Sequence, residues 1–359
     1  MSDAGPARHP GLQTRICDLF GVRYPIVQTG MGWVSGVSLT AATANAGGLG
    51  VLAGATLTYD ELRKSVYELK DRTAAPFGVN LRADQPDIDE RIDLLIAEGV
   101  RVASFAQAPS ADTVARLKDH GVLTMPTIGA RRHAEKVAEW GVDAVIAQGS
   151  EGGGHTGNVP TSILLPQVVE AVDLPVVAAG GFFSGSGLVA ALAWGAAGVA
   201  MGTRFLLTLE SRVPDAVKQL YLATPVTGTV VTRAIDGYPQ RVIRTQMVDE
   251  LENASGLTRL PRAVANALRF RKLTGTSLRD LLREGLAMRR HQELTWSQLA
   301  MAANAPMLTR AAMVEGRPEV GILPTGQGVG AMDELPSVEE LLETMMDEAD
   351  ATLRRISTG

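Results

Sequence analysis

Short, nearly continuous apolar runs alternate with longer stretches in which apolar and polar positions recur at helical spacing. The runs are Tyr24–Gln28, Leu49–Ala53, Phe77–Leu81, Val100–Phe105, Val122–Pro126, Ala144–Gln148, Pro175–Ala179 and Gly198–Met201. Each is rich in β-branched or small apolar residues, and each is too short for a helix that must bury one stripe, so each reads as a strand. Between them lie predicted helices at Val37–Asn45, Thr58–Lys70, Ile88–Glu98, Ser110–Asp119, Ala130–Trp140, Ile163–Val172 and Gly185–Trp194. Thr58 with Glu61 has the spacing of a capping box, and Ser110 stands where an N-cap belongs. Gly47-Gly48 marks the end of the first of these helices.

Eight strands separated by helices, at the spacing of βα units, predict an α/β chain with a parallel sheet. Strands with no polar alternation suit a sheet covered on its outer face. The repeat count favours a closed (β/α)8 barrel, a TIM barrel, over an open doubly wound sheet. After Met201 the alternation stops. Residues 205 to about 320 read as a mainly helical and strongly basic insertion between the last strand and the final helix. Arg233, Arg241 and Arg244 come first, then Arg259, Arg262, Arg269, Arg271, Lys272, Arg279, Arg283, Arg289 and Arg290. Such a run is either a solvated helical face or a seat for a phosphate-bearing ligand. Trp296–Leu308 reads as an apolar helix of a lid or core. Ser337 caps a last amphipathic helix, Val338–Arg355, long enough to close the barrel. The expected organisation is therefore a disordered N-terminus at 1–13, a barrel at 14–208, a helical lid or substrate domain at 209–320, and a return segment with the closing helix at 321–359.

Composition narrows the function classes. The chain has 359 residues, 45% of them hydrophobic, which is enough for a barrel with an insertion. Aromatics are only 4% and the net charge is −5, which argues against a nucleic-acid surface. The single cysteine, Cys17, excludes an intrachain disulfide and a cysteine-rich zinc site, and fits a reducing, cytoplasmic setting. Cys17 reads as a small buried apolar residue rather than a nucleophile. No apolar run reaches the ~20 residues of a membrane-spanning helix, and Met1–Pro10 lacks a signal-peptide core. His9, His120, His133 and His291 are scattered, and the carboxylates show no paired catalytic spacing.

In a barrel the ligand face is built from the segments that follow the strands. Here those segments collect glycine: Thr29-Gly30-Met31-Gly32-Trp33, Ala53-Gly54, Gln148 to Gly157, Gly180-Gly181 and Gly202-Thr203. Folding alone does not need glycine there, whereas a ligand seated against bare backbone does. Gly180-Gly181 and Gly202-Thr203 follow the seventh and eighth strands, the usual place for a phosphate. The loop Gln148-Gly149-Ser150-Glu151-Gly152-Gly153-Gly154-His155-Thr156-Gly157 also carries a histidine able to exchange a proton near neutral pH.

Taken together and in order, Gln28 to Trp33, Gly78-Val79-Asn80, Gln148 to Gly157, Ala178 to Gly181 and Met201 to Phe205 resemble the nitronate monooxygenase and FMN-dependent enoyl reductase superfamily. The pattern runs from about residue 14 to the last helix. Within the superfamily it is most similar to actinobacterial members that act on CoA thioesters in steroid ring degradation. Phe77 to Asp84, Phe182-Phe183, Val213 to Lys218, and Glu293 to Gln298 with Ala302 to Leu308 carry that narrower likeness. The resemblance implies FMN on the C-terminal face of the barrel. Gly30, Met31 and Gly32 would approach the flavin ring, and Asn80 and Gln148 would hydrogen-bond it. Gly153, Gly154, Gly180, Gly181, Gly202 and Thr203 would hold the ribityl phosphate end, with His155 near the reactive edge. Two departures stand out. Enoyl reductases often carry glutamate at the place of Gln148. The segment Arg82-Ala83-Asp84-Gln85 is polar where nitronate and fatty-acyl enzymes tend to be apolar.

The implied activity is an FMN-dependent ene-reductase or dehydrogenase on a CoA thioester. His155 would move a proton at the carbon α to the thioester, and a hydride would pass between the β carbon and flavin N5. Arg82, Asp84 and Gln327 are the substrate-side candidates, NAD(P)H the candidate electron partner, and a homo-oligomer stays open. A nitronate monooxygenase oxidising nitroalkanes with O₂ would use the same base. A non-catalytic FMN-binding barrel is the alternative of another class. No metal site is expected.

Overall fold

The apolar runs become strands of three to six residues whose side chains are buried on both faces. The computed structural model describes residues 8–253 and 306–358. Strands β1 (Ile26–Gln28), β2 (Leu49–Leu52), β3 (Phe77–Leu81), β4 (Val102–Phe105), β5 (Leu123–Ile128), β6 (Val145–Gln148), β8 (Val176–Ala179) and β9 (Gly198–Met201) form a closed parallel barrel in that order. Closure runs through β9 and β1, with Gln28 opposite Met201. The chain divides into two compact units: Met1–Gly152 with Gly157–Arg212 and Ala331–Gly359, and Gly153–Thr156 with Val213–Gly330.

In the first unit each of the first seven barrel strands is followed by a helix, as the hydrophobic pattern predicts. These are α2 (Val37–Asn45), α3 (Tyr59–Arg72), α4 (Ile88–Ala97), α5 (Ala111–Asp119), α6 (Arg131–Glu139), α7 (Thr161–Ala171) and α8 (Gly185–Ala193). The Thr58 capping box forms with both its bonds, and Ser110 Oγ accepts from Thr113 N at 3.1 Å. Leu62, Val66 and Leu69 of α3 pack with Phe77, Val79 and Leu81 of β3 and with Leu95 of α4 in one buried cluster. A C-terminal helix, Val338–Thr358, starts at the Ser337 cap and buries Val338, Leu341, Leu342, Met345, Met346 and Ala349. Its backbone approaches α8 so closely that a Cβ on Gly185 would lie 2.1 Å from Met345 O.

Residues 8–13 depart from the disorder expected for 1–13. Arg8 pairs with Glu343 and Asp347 of the C-terminal helix and donates to Tyr24 Oη. Pro10–Leu12 forms a 3-10 turn with Leu12 buried, and α1 (Arg15–Phe20) follows it. Two exposed-looking polar residues and a proline hid one apolar anchor and one arginine with three partners.

The second unit carries strands that the sequence reading did not include. β10 (Thr229–Thr232) pairs antiparallel with β11 (Gln240–Ile243), and β11 pairs with the two-residue β7 (Gly154–His155). Helices α10 (Asp215–Leu222), α11 (Gln246–Glu252) and 306–313 accompany this sheet. Ile235, Val242, Val248 and Ile322 form a small core, with Val230, Leu251 and Leu308 packed on it. The return segment lies against β11: Thr325 N donates to Arg241 O, Ile243 N donates to Leu323 O, and Val242 bridges Pro324. Arg241 donates to Thr229 Oγ1 and Arg244 pairs with Asp249, so these two basic residues have partners in this unit. Arg259 to Arg290 and most of the predicted helix Trp296–Leu308 lie outside the described residues.

Candidate active site

At the C-terminal ends of the first unit's strands, the backbone and a few polar side chains define a cradle. Gln28 is fully buried, and its Nε2 donates to Thr29 O, Ser35 Oγ and Val51 O, which pins the turn after β1. Ser35 Oγ also accepts from Met31 N at 2.9 Å. Gly30 is obligatory there, because a Cβ would stand 2.3 Å from Asn80 Cβ. Asn80, on β3 and nearly buried, therefore lies directly beside Gly30. Gly32 packs on Thr56, and Met31 Sδ would lie 3.2 Å from a Cβ on Gly202. Gly30, Met31, Gly32, Asn80 and Gly202 are thus gathered at one place.

Gln148 ends β6. Gly152 leaves room for the Gln148 side chain, which a Cβ at 152 would meet at 2.8 Å. After β8, Gly180 and Gly181 both take left-handed φ, +96° and +86°. A side chain at 180 would also meet Gly149 O and Thr161 Oγ1 at 3.0 Å.

The helix N-termini at this face differ in how their N–H groups are occupied. Glu151 accepts from Thr161 N at the start of α7, filling that end with the chain's own carboxylate. Ser184 Oγ caps α8, and Glu348 accepts from Gly185 N. Gly202, which precedes the short α9 (Thr203–Leu206), provides no side-chain cap. Gly202-Thr203 follows β9, which pairs in the barrel with β8, the strand that leads into the Gly180-Gly181 turn. The neighbouring Arg204 is buried and donates to Leu207 O and Glu334 O, so its guanidinium serves the backbone; burial also lowers its pKa from the ordinary arginine range.

Arg82 and Asp84, proposed from the sequence as substrate contacts, form an exposed bidentate pair with each other at 3.0 and 2.8 Å. Gln327 belongs to the second unit, half-buried at the start of a 3-10 helix, Gln327–Ala331. Gly153 and Gly154 belong to that unit as well. A Cβ on Gly153 would stand 2.4 Å from Thr325 C, so its lack of a side chain is set by the return segment. Gly154 has φ +67° and opens β7.

His155 sits in β7, opposite Gln240 of β11. Its side chain is 65% exposed, and its Nε2 lies 2.8 Å from Oδ2 of Asp236, whose own side chain is 8% exposed. Gln240 Nε2 donates to the same Oδ2 and stands 3.2 Å from His155 Nε2. Asp236 Oδ1 accepts from Tyr238 N, and the Tyr238 ring meets the imidazole edge-on with centroids 6.1 Å apart. Asp236, Tyr238 and Gln240 were not singled out from the sequence. The signal was present: Asp236-Gly237 between two β-branched runs is a hairpin signature. The nearby arginines drew that stretch into a helical reading instead. The chemistry available here is a histidine able to move a proton, held by a buried carboxylate. No cluster of His, Cys, Asp or Glu suited to a metal ion occurs among the described residues. No helix among them is long and apolar enough to cross a membrane.

Comparison with known proteins extends this geometry. A family model described as nitronate monooxygenase matches residues 13–348. A protein of Mycobacterium tuberculosis H37Rv is 54% identical over 349 residues, covering 96% of this chain and 98% of its own. It is named (3aS,4S,5R,7aS)-5-hydroxy-7a-methyl-1-oxo-octahydro-1H-indene-4-carboxyl-CoA dehydrogenase. A protein of the same name from Rhodococcus jostii RHA1 is 55% identical over 338 residues, covering 94% and 96% of the two chains. Among solved structures, FabK from Thermotoga maritima superposes with a TM-score of 0.78 at 32% identity, covering 96% of this chain and 99% of its own.

Proposed function

The chain belongs to the nitronate monooxygenase family of oxidoreductases, and from that membership we propose that it is an FMN-dependent dehydrogenase acting on a CoA thioester from steroid ring degradation. The observation that carries this reading is the 54–55% identity to two octahydroindene-carboxyl-CoA dehydrogenases, over matches that cover 94–96% of the chain. The substrate class is then a CoA ester of a fused-ring carboxylic acid.

FMN, when bound, would supply the hydride-transfer chemistry of the reaction. Gly30, Met31 and Gly32 would leave room for the ring, and Asn80 and Gln148 would orient it by hydrogen bonds. Gly180, Gly181, Gly202 and Thr203 would hold the phosphate end, with Gly153 and Gly154 shaping the loop that ends in His155. His155 would take the proton from the carbon α to the thioester in the dehydrogenase direction and return it in the reductase direction. Its acidity requirement is met by the thioester carbonyl, which stabilises the developing enolate. Arg82, Asp84 and Gln327 are assigned to the substrate side, and residues 209–320 to the substrate domain. NAD(P)H is the proposed electron partner, the cytoplasm the proposed compartment, and a homo-oligomer the proposed assembly.

The test is anaerobic mixing of the flavin-loaded protein with fused-ring acyl-CoA esters and, separately, with nitroalkanes. Bleaching of the flavin by the acyl-CoA alone is expected. Bleaching by nitroalkanes alone would replace this reading with nitronate oxidation. Replacing His155 by alanine should slow the bleaching by roughly 10²–10⁴-fold, the usual worth of a positioned general base. Unchanged bleaching in that variant would remove His155 from the reaction.

A further inference from the structure

A carboxylate oxygen only accepts hydrogen bonds. With Asp236 Oδ2 2.8 Å from His155 Nε2, that nitrogen must carry a hydrogen. Gln240 Nε2 reaches the same oxygen, so two N–H donors converge on one carboxylate, and the 3.2 Å approach of Gln240 Nε2 to His155 Nε2 is a consequence of that sharing. The other oxygen, Oδ1, accepts from Tyr238 N at 3.0 Å within the Asp236-Gly237-Tyr238 turn. Asp236 is therefore fixed at both oxygens and nearly buried, whereas the histidine it holds is largely exposed. A buried group this well bound costs stability unless every partner is kept. The turn that supplies it is anchored by Gly237 N donating to Arg233 O, and Thr156 N donates to Pro239 O beside it.

We propose that Asp236 is a positioning residue that holds His155 in its Nε2–H tautomer, with Gln240 and the Tyr238 backbone N–H fixing the carboxylate in turn. In the neutral imidazole this makes Nδ1 the nitrogen bearing the lone pair, and so the one that would receive a substrate proton. The proposal rests on the proton role assigned above to His155.

Asp236→Asn tests it with little change of volume, and it keeps an Oδ1 for the Tyr238 N–H. In that variant the Gln240 amide is released to donate to His155 Nε2, which favours the opposite tautomer. The first readout is the ¹⁵N spectrum of histidine-labelled full-length protein, with the His155 signal assigned by its loss in His155→Ala. The wild type should show His155 as the Nε2–H form, and Asp236→Asn should shift it wholly or in part to Nδ1–H. An Nδ1–H form in the wild type, or an unchanged spectrum in the variant, overturns the proposal. The second readout is anaerobic flavin bleaching. Asp236→Asn should slow the rate about 10- to 100-fold, in the range of other partners that orient a functional histidine. The double variant with His155→Ala should be no slower than His155→Ala alone, because both changes remove one function. Losses that multiply would make Asp236 a merely structural residue. Normal bleaching by His155→Ala would refute the proton role itself, while the tautomer spectrum would still decide the hydrogen-bond assignment.

Discussion

Replacing Gly30 by alanine adds one methyl group at the centre of the proposed flavin seat. The new Cβ would stand 2.3 Å from Asn80 Cβ and 3.0 Å from Asn80 Cγ. Ordinary carbon–carbon contacts lie at ~3.5–4.0 Å, so the 2.3 Å approach must open by about 1.2 Å. A flexible side chain could swing away, but the colliding atom is a Cβ fixed to the backbone of β3. The strain must move either the Thr29–Trp33 turn or the strand. Overpacking of this kind costs about 1–3 kcal/mol. At roughly 2–4 °C per kcal/mol for domains of 150–250 residues, the FMN-free protein should melt several degrees lower. The larger effect should be on cofactor binding. FMN at one hundred times its Kd stabilises the folded state by about 2.7 kcal/mol, and the variant should lose most of that increment. Thermal melts of both proteins with and without FMN measure the two effects separately. Adding Asn80→Ala should not restore the stability of Gly30→Ala, since alanine keeps the offending Cβ. A Gly30→Ala protein that melts with the wild type and keeps its full FMN increment would refute the reasoning.

Other outcomes follow from the same structure. Cys17 lies on the buried face of α1 and burial pushes its thiol pKa up; a thiol reagent should leave it unmodified in the native protein and label it after unfolding, and rapid native labelling would contradict its burial. Glu343 accepts from Tyr24 Oη and pairs with Arg8, and these partners hold its carboxyl below the usual range. A depressed folded pKa contributes stability above the ordinary carboxylate pKa of about 4.3 that is lost as pH falls through the folded value. Glu343→Gln should therefore lower the melting temperature at pH 7 and have little effect near pH 3. The effect should be small, because the Glu343 side chain is 41% exposed and solvent screens it. Equal losses at both pH values would point to packing rather than charge.

The barrel was legible in the sequence because it rests on local signals. Apolar runs such as Val176–Ala179 need no partner to be recognised, and caps such as Thr58 with Glu61 act within four residues. The Gly180-Gly181 turn was legible because left-handed backbone leaves a mark on composition. What escaped depends on distant partners. The sheet that holds His155 joins Gly154–His155 to Gln240–Ile243, and no local pattern tells a two-residue strand what it will pair with. Asp236 is an ordinary turn aspartate until the fold sets it against residue 155, 81 positions away. Thr325 of the return segment excludes a side chain at Gly153, a constraint that no local pattern reveals. Arg204, beside Gly202-Thr203, donates to backbone carbonyls at Leu207 and Glu334, partners that no local pattern announces. Arginine content marks a place as basic but leaves its partners unspecified.

The measurement that bears most directly on the proposed dehydrogenase is the flavin spectrum of the anaerobic protein during titration with an octahydroindene-carboxyl-CoA ester. Loss of the oxidised flavin band in proportion to added ester, abolished or strongly slowed in His155→Ala, is the predicted result. A flavin band that persists through excess ester but bleaches with a nitroalkane would contradict the account, as would a purified protein that takes up no FMN.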